Sequence, residues 1–144
     1  MNINIISKSG KLPIYSSENA AGADLCAYLP NGDCSIGKGQ WKLINTGLIA
    51  EIPVGYEGQI RPRSGIALKQ GITVLNAPGT IDSDYRGEIG IILINHSNDV
   101  FIVNDGDRIA QLVITPIERA IFKLAEQLGE TARAEGGFGS TGTN

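Results

Sequence analysis

Chain breakers come too often in this sequence for long helices. Nineteen glycines and six prolines interrupt it, and the prolines all fall within the first 120 positions. Between the breakers lie short runs rich in Ile, Val, Leu and Thr, which suit a pleated, half-buried surface. The runs predict strands near 2–6, 24–29, 40–52, 57–62, 72–76, 88–95, 100–104 and 108–117. Turn signals separate them, among them Pro30-Asn31-Gly32-Asp33, Pro53-Val54-Gly55, Ala77-Pro78-Gly79 and Asn104-Asp105-Gly106. Many short strands at this spacing indicate an all-β, jelly-roll-like barrel. Helical signals are few. Ser64 is expected to cap a short turn through Ile66–Lys69 that Gly71 ends, and Ala120–Leu128 fits either a helical stripe or a last strand.

The chain has 144 residues, enough for one domain with a core. A formal charge of -3 excludes a general nucleic-acid binder, which needs a basic face, but leaves room for a local arginine pocket. No apolar run is long enough to span a membrane. Met1-Asn-Ile-Asn-Ile-Ile lacks a basic region and a long apolar stretch, so a cytoplasmic protein with Cys26 and Cys34 reduced is expected. With one histidine, His96, and no CxxC spacing, a zinc site is excluded, and His96 is expected to be a plain loop residue. Ile89-Gly90-Ile91-Ile92-Leu93-Ile94 is apolar on both faces of a strand, which predicts burial against a second copy. Trp41 and Tyr56 are expected in the core or an interface.

From Gly129 onward, five of sixteen residues are glycine. Fixing such a segment is entropically costly. It nevertheless carries Arg133, Phe138, Ser140 and Thr141, groups that a plain spacer does not need. The chain thus divides into a barrel over 1–128 and a glycine-rich lid over 129–144, suited to close on a flat, phosphorylated ligand.

Four further segments carry chemistry. Gly79-Thr80-Ile81-Asp82-Ser83-Asp84-Tyr85-Arg86-Gly87-Glu88 is either a polar hairpin bonded to itself or a ligand reader. As a reader, it offers backbone groups to a heterocycle edge, Tyr85 to a sugar, and Asp82 as a base for water. Arg61-Pro62-Arg63-Ser64-Gly65-Ile66-Ala67 is either an ordinary turn with solvated arginines or an anion site. In Gly106-Asp107-Arg108-Ile109-Ala110-Gln111-Leu112, Asp107 and Arg108 are expected to form a structural ion pair, with the Gln111 amide available to a phosphate. In Ala21-Gly22-Ala23-Asp24-Leu25, Asp24 opens an apolar strand, as a turn former or as a group near a cation. No Walker loop, GxGxxG or GxSxG occurs.

Taken in chain order, Ala21–Leu25, Pro62–Ala67, Gly79–Glu88, Gly106–Leu112 and Arg133–Gly142 resemble the trimeric dUTP pyrophosphatases. Ala23 stands where an aromatic residue is frequent, and Ile66 replaces a common leucine. The resemblance implies a jelly-roll subunit, a homotrimer with sites between subunits, and Mg²⁺-dependent hydrolysis of dUTP to dUMP and pyrophosphate. Such an enzyme limits uracil incorporation into DNA and supplies dUMP for thymidylate synthesis. By similarity, Asp82 activates the water that attacks the α-phosphorus, and Tyr85 packs on deoxyribose and rejects a 2′-hydroxyl. Asn76, Gly79 and Ile81 read uracil. Arg63, Ser64, Gly65 and Gln111 bind phosphates from a neighbouring subunit, and Asp24 holds water around the metal. Arg133 binds the γ-phosphate, Phe138 stacks on uracil, and Gly139, Ser140 and Thr141 line the terminal phosphate. Arg86 lies at a variable position and has no implied role.

Two other readings compete. A dCTP deaminase shares the barrel but calls for a glutamate base in the hairpin, where Asp82 and Tyr85 favour hydrolysis. A silent jelly-roll binding or assembly module has no use for the full set of chemical groups.

Overall fold

The structure is a computed structural model and describes residues 1–137. Among these residues there are twelve strands and one helix: β1 (Asn4–Ser7), β2 (Ile14–Tyr15), β3 (Ala23–Cys26), β4 (Cys34–Ile36), β5 (Trp41–Asn45), β6 (Leu48–Glu51), β7 (Tyr56–Arg61), α1 (Ser64–Gln70), β8 (Ile72–Val74), β9 (Gly79–Ile81), β10 (Gly90–Asn95), β11 (Phe101–Val103) and β12 (Arg108–Pro116). All the pairings are antiparallel. The strands form sheets in the orders β1-β6, β5-β10-β8, β11-β4 and β2-β3-β12-β7-β9. The result is the expected all-β, jelly-roll-like barrel.

Strand alternation builds the core. In β10, Ile91, Leu93 and Asn95 point inward, and Gly90, Ile92 and Ile94 point outward. The largest fully buried side chains are Leu25, Ile36, Ile44, Ile52, Ile72, Ile89, Ile91, Leu93, Ile109 and Val103, with Asn95. Each such aliphatic side chain stabilises the fold by about 1.5–3 kcal/mol. This aliphatic set therefore holds the barrel together, rather than its two- and three-residue strands. Asn95 is tolerated at full burial because its amide donates to the carbonyls of Ile36 and Asp99 and its oxygen accepts from Ser97.

Several expectations need correction. The segment 40–52 is not one strand. It breaks between β5 and β6, where Gly47 takes φ +70° and buried Thr46 turns its hydroxyl onto the Ile89 carbonyl. Ser64 does not cap α1. It is the first helical residue, and Arg63 occupies the cap position with extended backbone and no side-chain cap bond. Gly71 ends the helix in the left-handed region as expected. Residues 117–128 form neither helix nor strand, and Ile121, Phe122, Leu124 and Leu128 are exposed. With nothing among the described residues to bury them, these side chains do not stabilise either structure. Trp41 is 61% and Leu43 63% exposed. They lie opposite Ile94 and Ile92, making an apolar outer face on the β5-β10-β8 sheet rather than core. Tyr56 packs partly against the core, and His96 lies in an exposed turn. Cys26 and Cys34 are free thiols. Among the described residues, no helix is long and apolar enough to cross a membrane.

Candidate active site

A cavity of about 210 Å³ opens beside β9, lined by Asn76, Gly79, Ile81, Asp82, Tyr85 and Glu88 over a floor of Ile60, Val74 and Ile92. The sequence shapes it locally. Gly79 lies opposite Ile60 on β7. A Cβ on Gly79 would sit 3.2 Å from the Asn76 amide and 3.3 Å from the Ile60 Cβ, so glycine lets β9 close on β7. Beyond β9 the chain turns tightly, with the Tyr85 N–H donating to the Asp82 carbonyl at 3.2 Å. The Asp82 side chain is exposed at the cavity rim. The Tyr85 hydroxyl donates to the Glu88 carbonyl at 3.0 Å, and a Cβ on Gly87 would overlap that hydroxyl.

The expected hairpin is not formed: β9 pairs with β7 and β10 with β5 and β8, so 82–89 is a link with a tight turn between two sheets, and two residues without a sequence-assigned role hold it. Arg86 donates from Nη1 to the carbonyls of Ser83 (2.8 Å) and Tyr85 (2.9 Å), and its Nη2 lies 3.5 Å from Glu51 Oε1. Glu88 accepts from Lys8 Nζ at 2.6 Å and from the Gly47 N–H at 2.8 Å. The hydrogen bond from Lys8, with Gly47 and the lysine charge adding to it, holds the Glu88 carboxyl below its usual range against the effect of burial. The sequence carries no signal for these ties, since Lys8 is 80 residues from Glu88 and Gly47 is 41.

A second polar cluster forms at the junction of β3, β12 and α1. β12 is irregular between Arg108 and Ala110, a bulge that buries Ile109 and Ala110 together. Beyond it, Gln111 pairs with Asp24 on one side and Arg61 on the other. Asp24 Oδ1 accepts from Arg63 Nε at 2.8 Å, and Oδ2 accepts from Ser16 Oγ at 2.9 Å and Arg108 Nη1 at 3.1 Å. The expected Asp107–Arg108 pair is therefore absent. Asp107 instead accepts from the backbone and side-chain amides of Asn104, closing its own turn, while Arg108 reaches the better-buried carboxylate across the strand. Gln111 donates to the Pro62 carbonyl at 2.9 Å, and its side chain fills the space where a Cβ on Gly22 would stand.

Burial pushes the Asp24 carboxyl up, but the Ser16 hydroxyl and the Arg63 and Arg108 guanidiniums outweigh it and leave the group below its ordinary value. A carboxyl depressed by folding stabilises the native state above its unfolded pKa of about 3.9, and that contribution disappears as pH falls through the lower native value. Melting temperature is accordingly expected to drop below about pH 4 in the parent chain and less steeply in Asp24→Asn, as read by thermal scans across pH.

One chain gathers the anticipated residues into two groups and does not join them. Asp82, Tyr85, Asn76, Gly79 and Ile81 share the cavity, whereas Asp24, Arg63, Ser64, Gly65 and Gln111 do not line it. Ser64 and Gly65 are exposed at the start of α1. Arg133 is exposed in a turn, its Nε donating to the Gly136 carbonyl at 2.7 Å. Phe138, Gly139, Ser140 and Thr141 lie outside the described residues. Among the described residues, no three His, Cys, Asp or Glu side chains cluster as metal ligands.

The family model for dUTPase matches residues 8–142. The deoxyuridine 5'-triphosphate nucleotidohydrolase of Syntrophotalea carbinolica is 57% identical over 131 residues, covering 91% of this chain and 88% of the relative. That of Maricaulis maris is 52% identical over 133 residues, covering 92% and 88%. A mutant of the Staphylococcus bacteriophage 80alpha dUTPase with dUpNHpp superposes with a TM-score of 0.86 at 26% identity, covering 98% of each chain. The matched span takes in both polar clusters and most of the glycine-rich tail, and the chain belongs to the dUTPase family.

Proposed function

We propose that this chain hydrolyses dUTP to dUMP and pyrophosphate, with Asp82 as the base that deprotonates the attacking water. The observation that carries this reading is the placing of Asp82 and Tyr85 on one tight turn, around one cavity that also holds Asn76, Gly79 and Ile81. Relatives at 52–57% identity bear the name of that activity. Uracil meets the backbone of Gly79 and Ile81 and the Asn76 amide, where the methyl of thymine has no room. Cytosine presents a donor where uracil presents an acceptor, which leaves buried groups unpaired. Tyr85 packs on the deoxyribose and excludes a 2′-hydroxyl. The Asp82 carboxylate orients a water toward the α-phosphorus and takes its proton as the bond to the bridging oxygen breaks. Glu88 is not a free base of the kind a deaminase needs, because Lys8 and the Gly47 N–H occupy its carboxylate.

Arg63, Ser64, Gly65 and Gln111 bind phosphates for a neighbouring copy. This division matches the separation of the two groups within one chain and gives a homotrimer with sites between subunits. The apolar face of Trp41, Leu43, Ile92 and Ile94 provides surface to bury in such an assembly. Arg133 reaches the γ-phosphate, Phe138 stacks on uracil for about 1–3 kcal/mol, and Gly139, Ser140 and Thr141 complete the lid.

The donor set fits Mg²⁺ held through water. Asp24 Oδ1 accepts only one protein bond in the described residues, and a carboxylate has about four acceptor sites, so a metal-bound water finds a partner there. Mg²⁺ keeps several waters and takes its other ligands from substrate phosphates, where it neutralises their charge. The enzyme works in the cytoplasm, where it limits uracil in DNA and supplies dUMP for thymidylate synthesis.

Pyrophosphate release measured over the common nucleoside triphosphates, with and without Mg²⁺, tests the reading. Release from dUTP alone supports it, and ammonia release from dCTP sinks it. A finer test follows from Gly22. Gly22→Ala crowds Gln111 from its Cβ to its amide and breaks the bond to the Pro62 carbonyl, so the melting temperature is expected to fall slightly while KM for dUTP rises about tenfold, the cost of one lost phosphate contact.

A further inference from the structure

We infer that Glu88 and Lys8 form a positioning latch that sets sugar selectivity through Tyr85, an inference that rests on the dUTP-hydrolysing reading above. The Tyr85 ring is tethered at its tip, because its hydroxyl donates to the Glu88 carbonyl at 3.0 Å. That carbonyl is only as steady as residue 88, whose carboxylate grips two separate elements. Oε2 takes the Lys8 ammonium at 2.6 Å from the end of β1, and Oε1 takes the Gly47 N–H at 2.8 Å from the turn between β5 and β6. The turn between β5 and β6 is itself fixed to Ile89, the residue after Glu88. Thr46 N–H and Oγ1 both donate to the Ile89 carbonyl at 3.3 and 2.7 Å, and the Ile89 N–H donates to the Leu48 carbonyl at 2.8 Å.

The Glu88 side chain is 19% exposed, so water competes weakly for it, and it lines the same cavity as Tyr85 and Asp82. Gly87 has no Cβ where the Tyr85 hydroxyl stands, so the tip of the ring can close on the backbone of the segment that the latch secures. A ring held in this way keeps a fixed distance from the sugar and leaves no space for an added hydroxyl. A ring free to swing would admit one. Glu88 touches no reacting atom in this reading; it acts through Tyr85.

The test compares kcat and KM for dUTP and UTP in the parent chain and in Glu88→Ala, Glu88→Gln, Lys8→Met and Tyr85→Ala. In Glu88→Ala the ratio of kcat/KM for dUTP over UTP is expected to fall about tenfold, the lower end of the effect of displacing a positioned group by about 1 Å. The fall is expected mainly in KM, with kcat for dUTP reduced less. Glu88→Gln keeps an acceptor for the Gly47 N–H and is expected to recover part of the ratio. Lys8→Met lies outside the cavity and is expected to move the ratio in the same direction by less. A folded Glu88→Ala with the parent ratio overturns the latch, and if that variant does not fold, an unchanged ratio in Lys8→Met overturns it. Tyr85→Ala separates the two levels. If it loses selectivity while Glu88→Ala does not, only the latch fails. If Tyr85→Ala itself keeps the parent ratio, the sugar role of Tyr85 fails and the latch falls with it.

Discussion

Asp82→Asn is expected to bind dUTP normally and to turn it over roughly 10²–10⁴ times more slowly than the parent chain. The carboxamide keeps the size of the side chain and one acceptor oxygen, but it cannot take up the proton of the attacking water. Asp82 is exposed and makes no side-chain hydrogen bond among the described residues, so the substitution leaves the fold alone. Calorimetric binding of a nonhydrolysable analogue should therefore match the parent, and the defect should appear in kcat. Near-parental turnover would falsify the role of Asp82 as base. Lost binding together with a lowered melting temperature would make it a structural residue instead.

The second large effect is expected at the apolar outer face. Leu43→Asp places a charge where Leu43 and Trp41 stand 63% and 61% exposed on β5 beside Ile92 and Ile94. In an isolated chain this change is mild, because a surface aspartate is well solvated. Across a contact between copies it buries an unpaired charge, which is severe. Light scattering is expected to show monomers, with activity per chain down by about 100-fold or more because the phosphate-binding half of each site is no longer in place. A monomeric parent with full activity would defeat the shared-site reading. A trimeric, active Leu43→Asp would move the interface elsewhere on the barrel.

Much of the architecture was legible because it depends on local pattern. The inward alternation of Ile91, Leu93 and Asn95, the breakers between strands and the left-handed Gly71 are all properties of neighbouring residues. The three-residue β4 and β9 and the two-residue β2 were not legible, because so few positions carry no periodicity and pairing partners alone define them. The segment 40–52 reads as one strand, yet Gly47 bends it so that Thr46 can reach Ile89, 43 residues away. The site shows the same division. Asp82, Tyr85, Gly79 and Asn76 lie close in sequence, and the segment that joins them was visible as a motif, although it folds as a turn between two sheets and not as a hairpin. The charge network was not, because Asp24 finds Arg63 and Arg108 at separations of 39 and 84 residues. The expected Asp107–Arg108 pair failed on the same ground. Asp107 lies in the turn before β12 and is taken up there by Asn104, while Arg108 found a better partner, Asp24, across the sheet.

The separation of the two polar groups within one chain has a consequence for dosage. If neither group completes a reaction centre alone, turnover depends on encounters between copies, and dilution below the dissociation constant of the assembly silences the protein without damaging any residue. A cell holding few copies would then lose activity faster than in proportion to the protein it makes, so scarcity acts as a threshold rather than a scale.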